Sequence, residues 1–372
     1  MAPHPGGIER FLAELLPAQR RAGVLTAALV HAEGRAGSHR CRFQARSAVI
    51  RAPVLATLAY TPVSPSWPIR LQRLITRWQP DLLHLHLPNP SAFWALALPA
   101  ARAIPWVVHW HADVPADALD ARLRVLYRLY RPLEDAVLRR ARKIIATSAA
   151  YADSSAPLRR WRSKVAVVPL GMADLSPASP EPDAWPTGTG QRLLFVGRFS
   201  YYKGLEHLID ALALLPADTT LRLVGSGARR ESIERRTAAL GLADRVVFAG
   251  ALSDADLARA YAAADVLCLP SIERSEAFGM VLLEAMRAGV PSLATAVPGS
   301  GMASVIGDGE AGFVVAPGQP AALADGIRRL RDDPECSRRF RRDGRARFLR
   351  EFQIDRIASR LSDLYREVLS NR

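Results

Sequence analysis

Lysine is almost missing from this chain. Of its 50 basic residues only Lys143, Lys164 and Lys203 are lysines, which leaves 47 arginines. A GC-rich genome produces such a bias, so part of the net charge of +14 reflects codon drift. No RNP, zinc-finger or heptad-basic pattern accompanies the charge, and nucleic acid is not expected as a partner. Cysteine is scarce as well. Cys41, Cys268 and Cys336 are widely spaced, odd in number and form no CxxC. This excludes a disulfide framework and a cysteine zinc site, and it fits a reducing compartment. No run reaches the ~18 uninterrupted apolar residues that a spanning helix needs. The richest run, Phe93 to Trp110, is broken by Pro99, Arg102 and Pro105. The first residues show no cleavable-signal pattern.

What is present is globular: 49% apolar and 23% charged residues over 372 positions, long enough for two domains. Short apolar runs alternate with amphipathic stretches. Expected strands are Val24 to Val30, Leu82 to Leu87, Trp106 to Trp110, Lys143 to Thr147 and Val165 to Leu170. After a break come Arg192 to Gly197, Leu221 to Gly225, Arg245 to Gly250, Asp265 to Pro270, Pro291 to Thr295 and Gly312 to Ala316. Continuous runs of this kind, each followed by a helix, predict parallel sheets covered on both faces, and two series predict two doubly wound domains. The stretch 173–190 has four prolines and no periodicity, so it reads as a linker. The expected plan is a first domain over 1–172, a second over 191–351 and an amphipathic C-terminal helix over 352–372. That helix packs on its own domain or crosses back to the first. Gly6-Gly7 opens a helix as the glycine turn of a first βα unit would, yet no strand precedes it. The first domain is therefore expected to lack its first strand, with the native start some ten residues upstream. The runs from Val24 and Leu82 would then border a gap or pair under strain.

Six groups of residues carry chemistry. Glu276 and Glu284 sit eight positions apart, with Gly279 between them and the apolar run from Met280 after it. This predicts a loop holding Glu276 and a helix starting near Gly279. The free amides around Phe278, Gly279 and Met280 would form an anion site suited to a sugar nucleotide. Two solvated glutamates on an ordinary amphipathic helix remain the plain alternative. In GRFSYYKG, Gly197, Arg198, Lys203 and Gly204 follow a strand, and two cations at a βα turn can neutralise a diphosphate leaving group. With both on a loop, Arg198→Ala and Lys203→Ala are expected to leave the fold intact. VVHWHADV places His109, His111 and Asp113 at a strand end, where open α/β sheets bind ligands. Residues two apart share a strand face, so His109 and His111 could hold a metal, but no third ligand is evident and none is expected. LHLHLPNP offers His84 and His86 as packing residues. VGSG, ending at Gly227, lies on the same kind of rim, and Gly6-Gly7 lets backbone approach a ligand.

Taken together, from Gly6 to about Leu369, these motifs resemble the retaining glycosyltransferases of family four, which have the GT-B fold. The resemblance implies two Rossmann-like domains facing a cleft, a nucleotide-diphosphate-sugar donor, a glycan or lipid-linked acceptor, and no metal or other cofactor. It assigns Glu276 to the donor-sugar hydroxyls near the reaction centre and Glu284 to the ribose hydroxyls. His111 would touch the transferred sugar, Arg198 and Lys203 the diphosphate, and Gly6, Gly7, Gly197, Gly227, Phe278, Gly279 and Met280 would line the donor. HWHADV and GRFSYYKG look closest to mannosyl- or rhamnosyltransferases of O-antigen or exopolysaccharide assembly, cytoplasmic proteins at the inner membrane face. Basic-apolar stretches, Ile69 to Trp78 and Ala121 to Lys143, would supply a peripheral contact with anionic lipid. Two departures stand out: the missing first strand, and PLGMAD, where Asp174 is shifted from the family's position and receives no role. A sugar-nucleotide epimerase and a non-catalytic sugar-nucleotide-binding protein are the competing functions.

Overall fold

The computed structural model describes residues 6–32, 42–44, 47–58, 61–114, 121–175, 185 and 190–370. Cys41 and most of the expected linker lie outside the described residues. The chain divides into two compact units: Met1–Ala173 with Ile354–Arg372, and Asp174–Gln353.

The first unit opens with the helix Gly7–Arg21, whose Phe11, Leu15 and Ala18 recur at helical spacing and are buried on one face. The last helix, Ile354–Ser370, buries Ile354, Ile357, Ala358, Leu361, Leu364 and Val368 at the same period. These two helices pack together. Gln19 Nε2 donates to Tyr365 Oη at 2.9 Å, and Arg21 pairs with Asp355 at 2.6 Å. Lys143 Nζ meets Glu367 at 2.7 Å.

Among the described residues this unit has nine strands: β1 (Thr26–Ala32), β2 (Arg42–Gln44), β3 (Ser47–Pro53), β4 (Ala56–Leu58), β5 (Thr61–Val63), β6 (Leu83–Leu87), β7 (Trp106–Trp110), β8 (Lys143–Ala146) and β9 (Val165–Val167). Parallel pairing joins β6, β7, β8 and β9 in that order, and β7 is buried at all five positions. A separate sheet has the order β1-β3-β2, while β4 and β5 form a hairpin. Among the described residues no strand precedes Gly7–Arg21, and β1 and β6 do not pair. His31 of β1 stacks on Trp67, at the start of the helix Trp67–Trp78, at 4.3 Å and meets Ser91 Oγ, in the turn after β6, at 3.1 Å. β3 falls outside the sequence expectation. It buries Ile50 and Ala52 on alternate positions, with Arg51 between them, so it lacks the continuous apolar run that marked the others.

The second unit is one parallel sheet built from β10 (Arg192–Val196), β11 (Thr220–Val224), β12 (Val246–Gly250), β13 (Val266–Leu269), β14 (Ser292–Thr295) and β15 (Gly312–Val315). Its order is β12-β11-β10-β13-β14-β15. Counted within the unit this is 3-2-1-4-5-6, the doubly wound order, with direction of progress reversing between β10 and β13. Leu193, Phe195, Leu223, Cys268 and Leu293 carry strand side chains into a core closed by Leu208, Leu212 and Ile327.

Candidate functional site

The reversal point predicts where a ligand sits: outside the carboxyl ends of β10 and β13. The loops leaving these strands hold Gly197, Arg198, Lys203, Glu276, Phe278 and Gly279. After β10, Gly197 and Arg198 lead into a short turn, Tyr201–Lys203, closed by Gly204 in the left-handed region at φ 61°. A Cβ on Gly204 would collide with the Pro270 carbonyl oxygen, so only glycine lets the two loops approach this closely. Ile272 N–H donates to Tyr202 O at 2.8 Å and pins them together.

This close approach brings Lys203 Nζ into an ion pair with Glu276 Oε2, with the two side chains only 8% and 12% exposed. Ser271 Oγ donates to the same carboxylate oxygen at 3.4 Å. Lys203 does lie on a loop, but its burial in this pair corrects the expectation that its removal leaves the fold unaffected. Lys203 is buried because the β10 and β13 loops close over it. Arg198 remains exposed on the turn.

Glu276 lies in the loop before the helix Met280–Ala288, and Gly279 is that helix's N-cap at φ 81°, with no side-chain cap. Its first amides and positive dipole end therefore have no side-chain oxygen on them. Phe278 is buried at the entrance, edge-on to Phe352 at 6.3 Å. One turn into the helix, Glu284 is 5% exposed and accepts a hydrogen bond from Tyr261 Oη at 2.7 Å. Sequence inspection missed Tyr261, since a tyrosine on an alanine-rich helix looks like core. Gly227, after β11, packs so tightly on Phe199 that a Cβ would collide with its carbonyl oxygen. Asp174 takes a bidentate bond from Arg345, at 2.7 and 2.8 Å, which lowers its pKa.

In the first unit, Gly6 is the N-cap of Gly7–Arg21 and the carboxylate of Glu9 folds back beside it. His109 and His111 extend from β7 and are buried, at 0% and 5% exposure. Parallel register sets His86 beside His109, so His84, His86, His109 and His111 share one face of β6 and β7. His86 Nδ1 lies 2.9 Å from His111 Nε2, and His84 Nδ1 lies 2.6 Å from Tyr365 Oη. Four other ring nitrogens are buried without a partner among the described residues: His84 Nε2, both of His109, and His111 Nδ1. Each such orphan costs about 1–3 kcal/mol. Burial and then their mutual repulsion hold His84, His109 and His111 well below the usual imidazole range, and burial pulls His86 to about 4.

Asp113 is committed to structure. It accepts from Trp110 Nε1 at 2.8 Å and Ser155 Oγ at 2.7 Å, and its N–H donates to Tyr151 Oη at 2.6 Å. Nearby Glu134 is buried, and desolvation followed by the Asp113 charge pushes its pKa up to about 7.

Two family models match the chain: "Glycosyl transferase 4-like domain" over residues 6–171 and "Glycosyl transferases group 1" over residues 183–347. The chain is 34% identical to the D-rhamnosyltransferase WbpZ of Pseudomonas aeruginosa, over 73% of this chain and 70% of that one. It is 31% identical to O-antigen chain mannosyltransferase C of Escherichia coli, over 78% and 76% respectively. Among solved structures, sucrose-phosphate synthase from Thermosynechococcus elongatus superposes with a TM-score of 0.81 at 27% identity, covering 99% of this chain and 94% of that one.

Proposed function

The chain belongs to the group 1 glycosyltransferases and has their GT-B fold, and from that premise we propose that it moves a hexose from a nucleotide-diphosphate sugar with retention at the anomeric carbon. The acceptor is a glycan or lipid-linked acceptor of cell-surface polysaccharide assembly, a reading supported by the O-antigen chain named for the Escherichia coli relative.

One observation supports the chemistry above the others: the Lys203–Glu276 pair at the β10/β13 reversal point, beside an uncapped helix N-terminus. A diphosphate bound there meets the Lys203 ammonium, the exposed Arg198 guanidinium and the amides at Gly279 and Met280. These groups stabilise charge on the departing phosphate oxygens. Glu284, fixed by Tyr261, holds the ribose hydroxyls. Glu276 binds donor-sugar hydroxyls and supports positive charge on the ring. The acceptor hydroxyl attacks from the face the diphosphate leaves, and its proton passes to the leaving phosphate oxygen. Two cations already oppose the diphosphate charge, so the step needs no added Mg²⁺ or Mn²⁺.

A thermal-shift screen against UDP-, GDP-, ADP- and dTDP-sugars tests donor binding, since a ligand at 100 times its Kd adds about 2.7 kcal/mol. NMR of the product from the best donor then reads the anomeric configuration. An inverted product would refute retention, and absence of both binding and turnover would refute the donor class.

The helix Ala121–Arg140 supports a membrane contact. It exposes Val125, Leu126, Leu129 and Leu133, the last three between 45% and 69%, alongside Arg124, Arg128 and Arg131. Apolar side chains at helical spacing with interleaved arginines suit the headgroup region of an anionic bilayer. No helix of the described residues is long and apolar enough to cross a membrane.

A further inference from the structure

The histidine face of the first unit has more nitrogen than its contacts use. His84, His86 and His109 each offer one ring nitrogen, and these three atoms lie within 4.8 Å of one another. We propose that His84, His86 and His109 bind a divalent transition-metal ion of the Zn²⁺ class, which clamps β6 to β7 beneath the first and last helices. The proposal concerns the first unit alone and is independent of donor chemistry in the second.

The contacts around the rings select the ligand atoms. A metal-ligating histidine usually gives its second ring nitrogen to a neighbouring acceptor, which fixes the tautomer. His84 and His86 both have that arrangement. Nδ1 of His84 meets Tyr365 Oη, itself held by Gln19, and Nδ1 of His86 meets His111 Nε2. With the proton on Nδ1 in each, Nε2 is left as the ligand atom, and among the described residues Nε2 of His84 is buried without a partner. His109, fully buried with neither ring nitrogen partnered among the described residues, completes the set. The sequence pair His109 and His111 lacked a third ligand, and parallel register instead groups His109 with His84 and His86 of the neighbouring strand.

Three imidazoles suit Zn²⁺, Co²⁺ or Ni²⁺ and disfavour Mg²⁺ or Ca²⁺, which prefer oxygen. At Zn–N distances near 2.0–2.1 Å, tetrahedral ligand atoms stand about 3.3 Å apart, so the rings must draw together. The His84 and His109 rings lie within 8° of parallel. Closing on one ion therefore turns them about χ2 out of the stack. Phe11, edge-on to His109 at 5.7 Å, and Tyr365, edge-on to His84 at 5.6 Å, roof the site.

The test is a titration of untagged, chelator-treated full-length protein with Co²⁺. One equivalent is expected to produce the visible absorption of four-coordinate cobalt, and Zn²⁺ should abolish it by displacement. His109→Ala should remove the absorption, and His207→Ala, in the second unit, should leave it unchanged. Should His109→Ala fail to fold, Tyr365→Phe keeps all three ligands and is expected to weaken apparent affinity about 10–100-fold. Absence of cobalt absorption in the wild type, or equal absorption in a folded His109→Ala, would overturn the proposal. Unchanged affinity in Tyr365→Phe would overturn the assigned tautomer.

Discussion

Lys203→Ala tests the site because it perturbs charge and packing together. The ammonium and the Glu276 carboxylate are 8% and 12% exposed, so removing the lysine strands a nearly buried anion. Breaking a buried pair costs 3–5 kcal/mol, and slight solvent access places this pair near the lower end, about 3 kcal/mol. The second unit spans residues 174 to 353, which is 353 − 174 + 1 = 180 residues. At roughly 2–4 °C per kcal/mol for that size, its thermal midpoint should fall by about 6–12 °C. Turnover should fall about 10²–10³-fold if the ammonium stabilises the leaving diphosphate. The double variant Lys203→Ala/Glu276→Gln, in which no charge is stranded, should regain most of the midpoint without regaining turnover. Arg198→Ala provides the contrast: the same fall in turnover, with no shift in midpoint, because its side chain is exposed. Calorimetry with a donor-hydrolysis and transfer assay measures both quantities. An unmoved midpoint and normal turnover in Lys203→Ala would refute the site.

Glu276→Gln should lower kcat more than it raises KM, whereas Glu284→Gln and the milder Tyr261→Phe should mainly raise KM, because ribose contacts are equal in ground and transition states. Identical kinetic signatures in the two glutamate variants would rule out the division of roles. Leu129→Glu should weaken binding to phosphatidylglycerol vesicles about tenfold or more in a flotation assay while leaving transfer to a soluble acceptor unchanged. Glu134 carries a folded-state pKa raised to about 7, so the first unit should lose stability as pH rises from about 4.5 through 7. Glu134→Gln should remove that loss, with a gain of up to about 3 kcal/mol at pH 8 and little change at pH 5, read from urea midpoints at both values.

What could be seen in the amino-acid string follows from how each feature is encoded. The strands of the second unit are short, mainly apolar runs, and the central β11, β10, β13 and β14 are buried on both faces, so their positions are visible locally. β3 is not, because burial of Ile50 and Ala52 alone leaves a short, half-polar pattern. The helix after Gly279 announces itself through a glycine followed by Met280-Val281-Leu282-Leu283. The pairing of Lys203 with Glu276 does not, because it joins loops 73 residues apart and depends on β10 lying next to β13. The same holds for Tyr261 and Glu284, which come from different helices. For the histidines, each strand shows its own two-residue repeat, but only the β6–β7 register reveals that the repeats coincide.

The first unit is discontinuous in sequence, and this bears on how the protein comes off the ribosome. Its closing helix, Ile354–Ser370, is made only after all of Asp174–Gln353. At about 5–20 residues per second, those 180 residues take roughly 10–35 s to synthesise. Throughout that interval the nascent first unit lacks the surface that covers Gly7–Arg21, and Gln19 and Arg21 lack the partners Tyr365 and Asp355. The second unit is continuous and can reach its final packing as soon as its last strand and helices emerge. Completion thus runs opposite to synthesis order: the unit begun first is sealed last, and a chain truncated before Ile354 would leave one folded half and one with an open apolar flank for chaperones to hold.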